Sequence, residues 1–196
     1  IEDNYLTDIA RYMRQHTGIY VSIAKDVKIL HNSIVGCSYS GISVGWKWTS
    51  TTAKEGEGIN LYRVEIAYNY VSDFMTDQGD GGGIYTLGGN AEWGCTTLFN
   101  SLHHNYVKVE ETTGRQGGFM PIYHDGASSN WHTYGNVVDA LYPENPGLAS
   151  IYLQIGAGVL GSQQTHNILV EKNFILGADW ETPVMLGGKY LYFDAN

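Results

Sequence analysis

Cysteine is scarce in this chain, with only two residues among 196. Cys37 and Cys95 lie in different strand-like runs, at positions that do not correspond in the repeat of the chain. A disulfide needs Cα atoms within about 7 Å, so no disulfide between them is expected. Both are therefore predicted to be buried free thiols that pack as small hydrophobic residues. The sequence also lacks the Cys-x-x-Cys and His/Cys spacings of metal sites, so neither a metal nor another cofactor is expected.

Basic residues are few as well, with 11 Lys and Arg against 20 Asp and Glu. This acidic excess argues against binding to nucleic acid or to anionic membranes. No apolar run reaches 18 residues and no signal peptide is visible, so no membrane span is predicted. Windows of 12 residues lack a helical apolar stripe, and the many short alternating runs predict an all-β fold.

What the sequence does contain is a repeat marked by asparagine. The asparagines at its boundaries are Asn4, Asn32, Asn69, Asn100, Asn136 and Asn173, at intervals of 28, 37, 31, 36 and 37 residues. Each lies between two short runs with apolar residues at alternate positions. In the clearest unit, residues 18–45, three strand-like runs begin with Gly18-Ile-x-Val and are followed by its recurrence at Gly41. Intervals of this length indicate stacked supersecondary units.

Three short strands per unit with one asparagine at a corner predict a right-handed parallel β-helix of about six coils. Asparagine tolerates the left-handed backbone of a sharp corner, and stacked asparagine side chains can hydrogen-bond from coil to coil. We expect a single domain over residues 1–196. The first strands of successive coils are assigned to residues 18–22, 41–45, 83–88, 121–125, 151–155 and 184–187.

The excess residues in the longer intervals are assigned to three loops, 46–62, 103–118 and 139–149. Long polar loops on a regular scaffold often carry binding and catalytic residues. Residues 1–9 already match the stretch around Asn69, although a solenoid end needs a cap. We therefore expect this chain to be a fragment of a longer solenoid, completed by upstream coils or a partner domain.

Two segments on equivalent strands carry the candidate catalytic residues. Asp80 precedes three glycines that allow close approach to the backbone, and Asp125 ends the equivalent strand of the next coil. Glycoside hydrolysis needs such a pair of carboxyl groups. Aligning Ile84 with Ile122 puts Asp125 seven positions out of line with Asp80. The pair is possible only if the glycines fold Asp80 back over the strand, and retention and inversion of configuration both remain open.

Aromatic residues near this pair are the candidate substrate-binding residues. Trp46 and Trp48 alternate with a lysine, so that both indoles share one face of an extended chain. Tyr85, Tyr123 and the neighbouring His124 lie on the strands of the two carboxylates. Aromatic faces of this kind suit the C–H faces of sugar rings.

Each of these candidates has a structural alternative. Asp80 and Asp125 both precede glycine, as ordinary turn residues do, and the two tryptophans could pack under the 46–62 loop. Other acidic residues in loops beside the same strands could substitute: Asp73, Asp77, Glu110, Glu111, Asp139 and Glu144. The adjacent His103 and His104 would point to opposite faces of a strand, so a solvated loop is predicted there instead of a joint metal site.

The segments 39–48, 64–89 and 122–138 resemble the right-handed parallel β-helix glycoside hydrolases of the pectate-lyase-like superfamily, closest to the group with α-L-fucosidase and xylanase members. The resemblance covers about residues 1–138. It implies that Asp80 and Asp125, in the D-G-G-G-I-Y-T and I-Y-x-D motifs, form the catalytic pair, and that the protein is secreted or periplasmic. Relatives often have a second acidic residue where this chain has Gly126.

Three functions follow from these observations. The first is a glycoside hydrolase acting on a plant or microbial polysaccharide or oligosaccharide. The second is a polysaccharide lyase, which needs cations to neutralise a uronate and a base to abstract a proton. The sequence has only four arginines, none of them on the assigned first strands. The third is a non-catalytic glycan-binding solenoid of the tailspike or adhesin type, because fold alone does not establish catalysis.

Overall fold

The structure is a computed structural model that describes residues 1–45, 61–88, 97–114, 119–141, 153–155, 165–176, 184–186 and 189–194. Every regular element within those residues is a β-strand, and none of them belongs to a helix able to cross a membrane. In chain order the strands are β1 (Tyr5–Ile9), β2 (Ile19–Val21), β3 (Ala24–Leu30), β4 (Ser33–Cys37), β5 (Ile42–Gly45), β6 (Leu61–Ala67), β7 (Tyr70–Ser72), β8 (Gly81–Leu87), β9 (Asn100–His103), β10 (Tyr106–Lys108), β11 (Phe119–His124), β12 (Ser129–Tyr134), β13 (Val137–Asp139), β14 (Leu153–Ile155), β15 (His166–Glu171), β16 (Phe174–Leu176), β17 (Val184–Leu186) and β18 (Lys189–Asp194).

The described strands form three parallel sheets of six strands each. Sheet 1 has the order β2-β5-β8-β11-β14-β17, sheet 2 the order β3-β6-β9-β12-β15-β18, and sheet 3 the order β1-β4-β7-β10-β13-β16. The chain therefore visits sheets 1, 2 and 3 in turn, and each strand pairs with the strand three elements later. This arrangement of stacked parallel sheets is consistent with a β-solenoid, as the repeat predicts.

The predicted register of the first strands is confirmed by sheet 1. Each of the six assigned first-strand segments overlaps a strand of this sheet, although β8 and β11 begin two residues earlier than assigned. Ile42 pairs with Ile84, and Ile84 pairs with Ile122, so the alignment of the two Ile-Tyr segments is also confirmed. The repeated glycine before these strands has a steric cause. A Cβ on Gly41 would lie 2.8 Å from the carbonyl oxygen of Gly83 in the next coil.

Stacks of aliphatic side chains from the three sheets fill the interior. Ile42, Ile84 and Ile122 form one stack from sheet 1, and all three are fully buried. Sheet 2 contributes Ile66 and Leu102, which pair in register and are equally buried. Full burial of a side chain of this size is worth about 1.5–3 kcal/mol, so each coil is stabilised mainly by contact with the coils above and below it.

The asparagine ladder exists, but one of its members differs from the prediction. Side-chain amides hydrogen-bond in the order Asn4, Asn32, Asn69, Asn105, Asn136 and Asn173. Asn100, predicted to be a member, instead lies in β9 and accepts a hydrogen bond from the backbone N–H of Val64. The missed signal is the motif Asn-x-Val, which Asn105-Tyr-Val shares with Asn69-Tyr-Val.

The corner geometry also differs from the prediction, because the left-handed residue is the one before each ladder asparagine. These residues, with φ between 52° and 63°, are Asp3, His31, Tyr68, His104, Gly135 and Lys172. A left-handed residue with a side chain costs about 1–2 kcal/mol. The turn directs the next side-chain amide inward, where its hydrogen bonds offset that cost.

The cysteines and the assigned loops are only partly as predicted. Cys37 is a buried free thiol at the end of β4, as predicted, and burial raises its pKa to about 12; Cys95 lies outside the described residues. The prediction that residues 103–118 form a loop is wrong for its first half, because Asn105 begins a coil corner and β10 follows. Of the other assigned loops, residues 46–60 and 142–149 lie outside the described residues.

The ladder predicts that Asn105→Ala is strongly destabilising. The Asn105 amide donates to the backbone oxygen of Ile66 and to Asn136, and its oxygen accepts from the backbone and side-chain N–H groups of Asn69. Removing it leaves buried polar groups unsatisfied on both neighbouring coils. We expect a loss of about 3 kcal/mol in the free energy of unfolding, measured by urea titration.

The matched control is Asn100→Ala in the same coil. Asn100 is just as buried, but its side chain accepts a single hydrogen bond, from the backbone N–H of Val64. Asn100→Ala should therefore lower the free energy of unfolding by only about 1 kcal/mol. Equal losses for the two variants would contradict the assignment of Asn105 to the ladder.

Candidate functional site

Two tyrosines come together on the outer face of sheet 1, as the register predicts. Tyr85 on β8 pairs directly with Tyr123 on β11, and their rings meet edge to face with centroids 5.3 Å apart. Leu87 and Met120 pack around them, and both tyrosines are almost completely buried. The edge-to-face contact fixes the direction of both hydroxyl groups.

Both hydroxyl groups are directed at Asp125, the residue that follows β11. Tyr85 donates a hydrogen bond to Oδ2 of Asp125, and Tyr123 donates one of 2.8 Å to Oδ1. The residue is 6% exposed. Hydrogen bonds from phenols to a carboxylate are charge-assisted and stronger than those between neutral groups. The structure thus unites three of the sequence-predicted site residues in one hydrogen-bonded group.

The backbone of Asp125 is held as firmly as its side chain. Its N–H donates to the carbonyl oxygen of Thr86 at 2.8 Å, and its own carbonyl accepts from the N–H of Ser128 at 2.9 Å. The hydroxyl of Thr165, one coil further on, donates to the same carbonyl at 3.0 Å. Asp125 is therefore fixed by three coils, and its position does not depend on a single turn.

Asp80, the other predicted catalytic carboxylate, stands immediately before β8 and is exposed. Its backbone is left-handed, with φ of 60°, so the chain turns sharply at this residue. Partial removal from water raises the pKa of Asp80, and the negative charge of Asp125 raises it further. The glycines do not fold Asp80 back over the strand as the pair requires, because they are extended in β8, where Gly81 and Gly82 pair with Phe119 and Met120. Asp80 therefore stands at the start of β8 while Asp125 follows the end of β11, and the link between the two carboxylates is the electrostatic effect of Asp125 on Asp80.

Tyr39 belongs to the same group and escaped the sequence analysis. Its hydroxyl donates to the backbone oxygen of Asp80 at 2.8 Å. Burial, with the charges of Asp80 and Asp125, raises the pKa of Tyr39 to about 12. A Cβ on Gly81 would lie 2.8 Å from the Tyr39 ring, so the glycine allows this approach. The available signal was the register, since the loop before β5 lies one coil from the loop before β8.

The Tyr123 hydroxyl keeps its proton because of this environment. Burial raises the pKa of Tyr123 strongly, and the charge of Asp125 and the hydrogen bond to it act in the same direction. A phenol beside a carboxylate ionises less readily because a second negative charge would form next to the first. Tyr123 therefore serves as a hydrogen-bond donor throughout the physiological pH range.

The other predicted substrate-binding residues do not join this group. His124 is directed into the interior of the coil and is fully buried, since alternate residues of a strand point to opposite faces. That position corrects its grouping with Tyr85 and Tyr123 as a residue that contacts substrate. Trp46 and Trp48 lie outside the described residues.

Several alternative carboxylates are engaged elsewhere. Asp73 accepts a hydrogen bond from Thr112, and Asp139 accepts one from Tyr106. Asp77 forms an ion pair with Arg14, and Glu110 forms one with Lys108. Glu111 is exposed, and Glu144 lies outside the described residues. Asp80 and Asp125 therefore stay the preferred pair.

The histidine pair is arranged differently from the prediction. His104 occupies the left-handed corner, so its ring turns back and the Nδ1 atoms of His103 and His104 lie 2.9 Å apart. His103 is buried in β9 with Glu65 beside it, and burial lowers the pKa of His103. The solvated loop predicted for both residues is thus correct only for His104. The described residues contain no group of three or more His, Cys, Asp or Glu arranged to hold a metal.

Comparisons of the chain with protein-family models, with curated proteins and with solved structures found no match in any of the three.

The arrangement combines two carboxylates in unequal surroundings. Asp125 accepts hydrogen bonds from two phenols, whereas burial and the charge of its neighbour favour the protonated form of Asp80. Sites that separate two carboxyl groups in this way can use one as a proton donor and the other as a carboxylate.

The raised pKa of Asp80 predicts how pH affects stability. Its pKa in the folded protein exceeds the reference value of 3.8, so the folded state binds more protons as the pH passes through this range. Stability therefore falls as pH rises through the raised pKa and remains lower above it. Asp80→Asn should raise the urea midpoint at pH 7 and leave it unchanged at pH 3.

Asp77→Asn is the matched control for this prediction. Asp77 lies three residues from Asp80 and forms an ion pair with Arg14 at 2.8 Å. Neutralising Asp77 therefore removes an attraction to Arg14, whereas neutralising Asp80 removes a repulsion from Asp125. An increase in midpoint for Asp77→Asn as large as that for Asp80→Asn would show that the effect comes from overall negative charge.

Proposed function

We propose that this protein is a glycoside hydrolase acting on a polysaccharide or oligosaccharide, with Asp80 and Asp125 as its carboxyl pair. The observation that carries the proposal is the Asp125 carboxylate held by the hydroxyls of Tyr85 and Tyr123 on the outer face of sheet 1, with Asp80 at the start of the neighbouring strand β8. The resemblance of residues 1–138 to β-helix glycoside hydrolases adds support, and it extends the proposal to a secreted or periplasmic location. A right-handed coil is proposed as well, because nearly all crossovers between parallel strands have that hand.

In this proposal Asp80 is the general acid. The raised pKa of Asp80 favours the protonated form needed to deliver a proton to the glycosidic oxygen as the bond to the leaving group breaks. Its exposed position before the glycines is open to a substrate on the face of sheet 1. Activity should decline as pH rises through the Asp80 pKa, because the acid then loses its proton before the reaction.

Asp125 is the second carboxylate. It either activates the attacking water or attacks the anomeric carbon itself, and the separation of the two carboxyl groups during catalysis distinguishes these routes. Tyr85 and Tyr123 hold its two oxygens in place. For either route, one phenol must yield its position to water or substrate.

The lyase alternative finds less support in the described residues. A lyase needs cations beside the uronate carboxylate and a base for proton abstraction. Three arginines are described, and they pair with carboxylates elsewhere: Arg11 with Asp8, Arg14 with Asp77 and Arg63 with Asp26. The fourth, Arg115, lies outside the described residues.

A non-catalytic glycan-binding solenoid is favoured by one observation. Asp125 is 6% exposed and has a phenol on each oxygen, an arrangement that would also serve purely to join β8 to β11. Under this alternative the protein binds glycans through its aromatic residues and releases no product.

The deciding experiment compares the protein with Asp80→Asn and Asp125→Asn on a panel of polysaccharides. We expect new reducing ends from the parent protein, and a loss of at least about 100-fold in kcat for each variant. Absorbance of unsaturated uronates would support a lyase instead. Circular dichroism checks that the variants fold.

Asp77→Asn is the control for activity, since Asp77 pairs with Arg14 outside the proposed site. It should retain the parent kcat. Glycan binding by the parent protein without any product, unchanged in both site variants, would exclude both enzyme functions and support the binding solenoid.

A further inference from the structure

One polar network lies inside the coil, directly behind the proposed site. His124 is fully buried, and its Nδ1 lies 2.6 Å from the hydroxyl of Thr86 on β8. Its Nε2 lies 2.7 Å from the hydroxyl of Thr133 on β12. The Thr86 hydroxyl also lies 2.6 Å from that of Ser128. Both imidazole nitrogens are thus satisfied, and burial lowers the pKa of His124 to about 3, so the ring stays neutral.

The network joins the same two strands that the site joins on the outside. His124 pairs in register with Thr86, and the adjacent pair is Tyr123 with Tyr85. Tyr123 and Asp125 flank His124 in sequence and project outward, whereas His124 projects inward. Hydrogen bonds therefore link β8 to β11 on both faces of the sheet at neighbouring positions.

We propose that His124 is a positioning residue, which holds the end of β11 against β8 so that the Asp125 carboxylate stays between the hydroxyls of Tyr85 and Tyr123. The physical reason is geometric. The end of a strand beside a turn would otherwise shift, and a displacement of about 1 Å is enough to misplace a reacting group. A satisfied buried network resists such movement because every alternative leaves a polar group without its partner. The effect on catalysis rests on the function proposed above, whereas the structural effect does not.

The test uses the full chain labelled with [13Cζ]tyrosine, whose resonances report on hydrogen bonding of the phenols. Tyr85→Phe and Tyr123→Phe assign the two signals. His124→Leu removes both imidazole hydrogen bonds, and we expect the Tyr85 and Tyr123 signals to move toward those of exposed tyrosines. His124→Asn places an amide near the position of Nδ1, can still bond Thr86, and should restore both signals.

Two further variants guard against trivial causes. His132→Leu on the outer face of β12, where His132 contacts Glu171 at 2.9 Å, is the matched control and should leave both signals in place. Thr86→Val preserves shape but removes the inner hydroxyl, so it should reproduce the effect of His124→Leu even if that variant fails to fold. Unchanged signals in Thr86→Val and in folded His124→Leu would overturn the proposal, as would equal changes in His124→Asn and His124→Leu.

Activity supplies the second readout. His124→Leu should lower kcat by about 100-fold with little change in KM, since it displaces a reacting group without touching substrate. If Asp125→Asn is inactive while folded His124→Leu keeps the parent kcat, the positioning role is wrong and the proposed function survives. If Asp125→Asn is fully active, the proposed function is wrong, and the tyrosine signals alone decide whether His124 positions Asp125.

Discussion

The side-chain amide ladder is the constraint on which the rest of this structure depends. Each internal ladder asparagine accepts two hydrogen bonds from the coil on one side and donates to coils on both sides, as Asn69 and Asn105 show. Such bonds form only when the corners of successive coils are superimposed. Since side chains alternate between faces along a strand, superimposed corners fix which residues of each coil face the interior and which face solvent.

Fixed register turns short local motifs into a site. Gly18, Gly41 and Gly83 permit close contact between coils in the first half of sheet 1, and Tyr85 then pairs with Tyr123 on the outer face. Asp125 receives both of their hydroxyls because it ends the strand next to β8. Asp80 lies far away in register, at the start of β8, yet the negative charge of Asp125 contributes to raising the pKa of Asp80.

The site and the scaffold make opposite demands at these positions. Partial removal from water and the charge of Asp125 raise the pKa of Asp80, which costs stability at neutral pH; in the proposed reaction the same shift would favour a proton donor. The scaffold offsets such costs nearby, through hydrogen bonds to the backbone of Asp125 and through the internal bonds of His124. Hydrogen bonds therefore join β8 and β11 on both faces of the sheet at neighbouring positions.

Alternation and repetition in the sequence by themselves determined the all-β class, the three strands per coil, the register of sheet 1 and the pairing of Tyr85 with Tyr123, because a period of two and a repeated motif are local properties. Even the error at Asn100 was avoidable, since Asn105 carries the shared Asn-x-Val motif. Only the tertiary structure decided that Tyr39 reaches Asp80, that two tyrosine hydroxyls converge on Asp125, and that His124 finds Thr86 and Thr133 as partners. Those relations depend on turns at single residues, such as the left-handed residues Asp80 and His104, and on contacts between coils more than 30 residues apart.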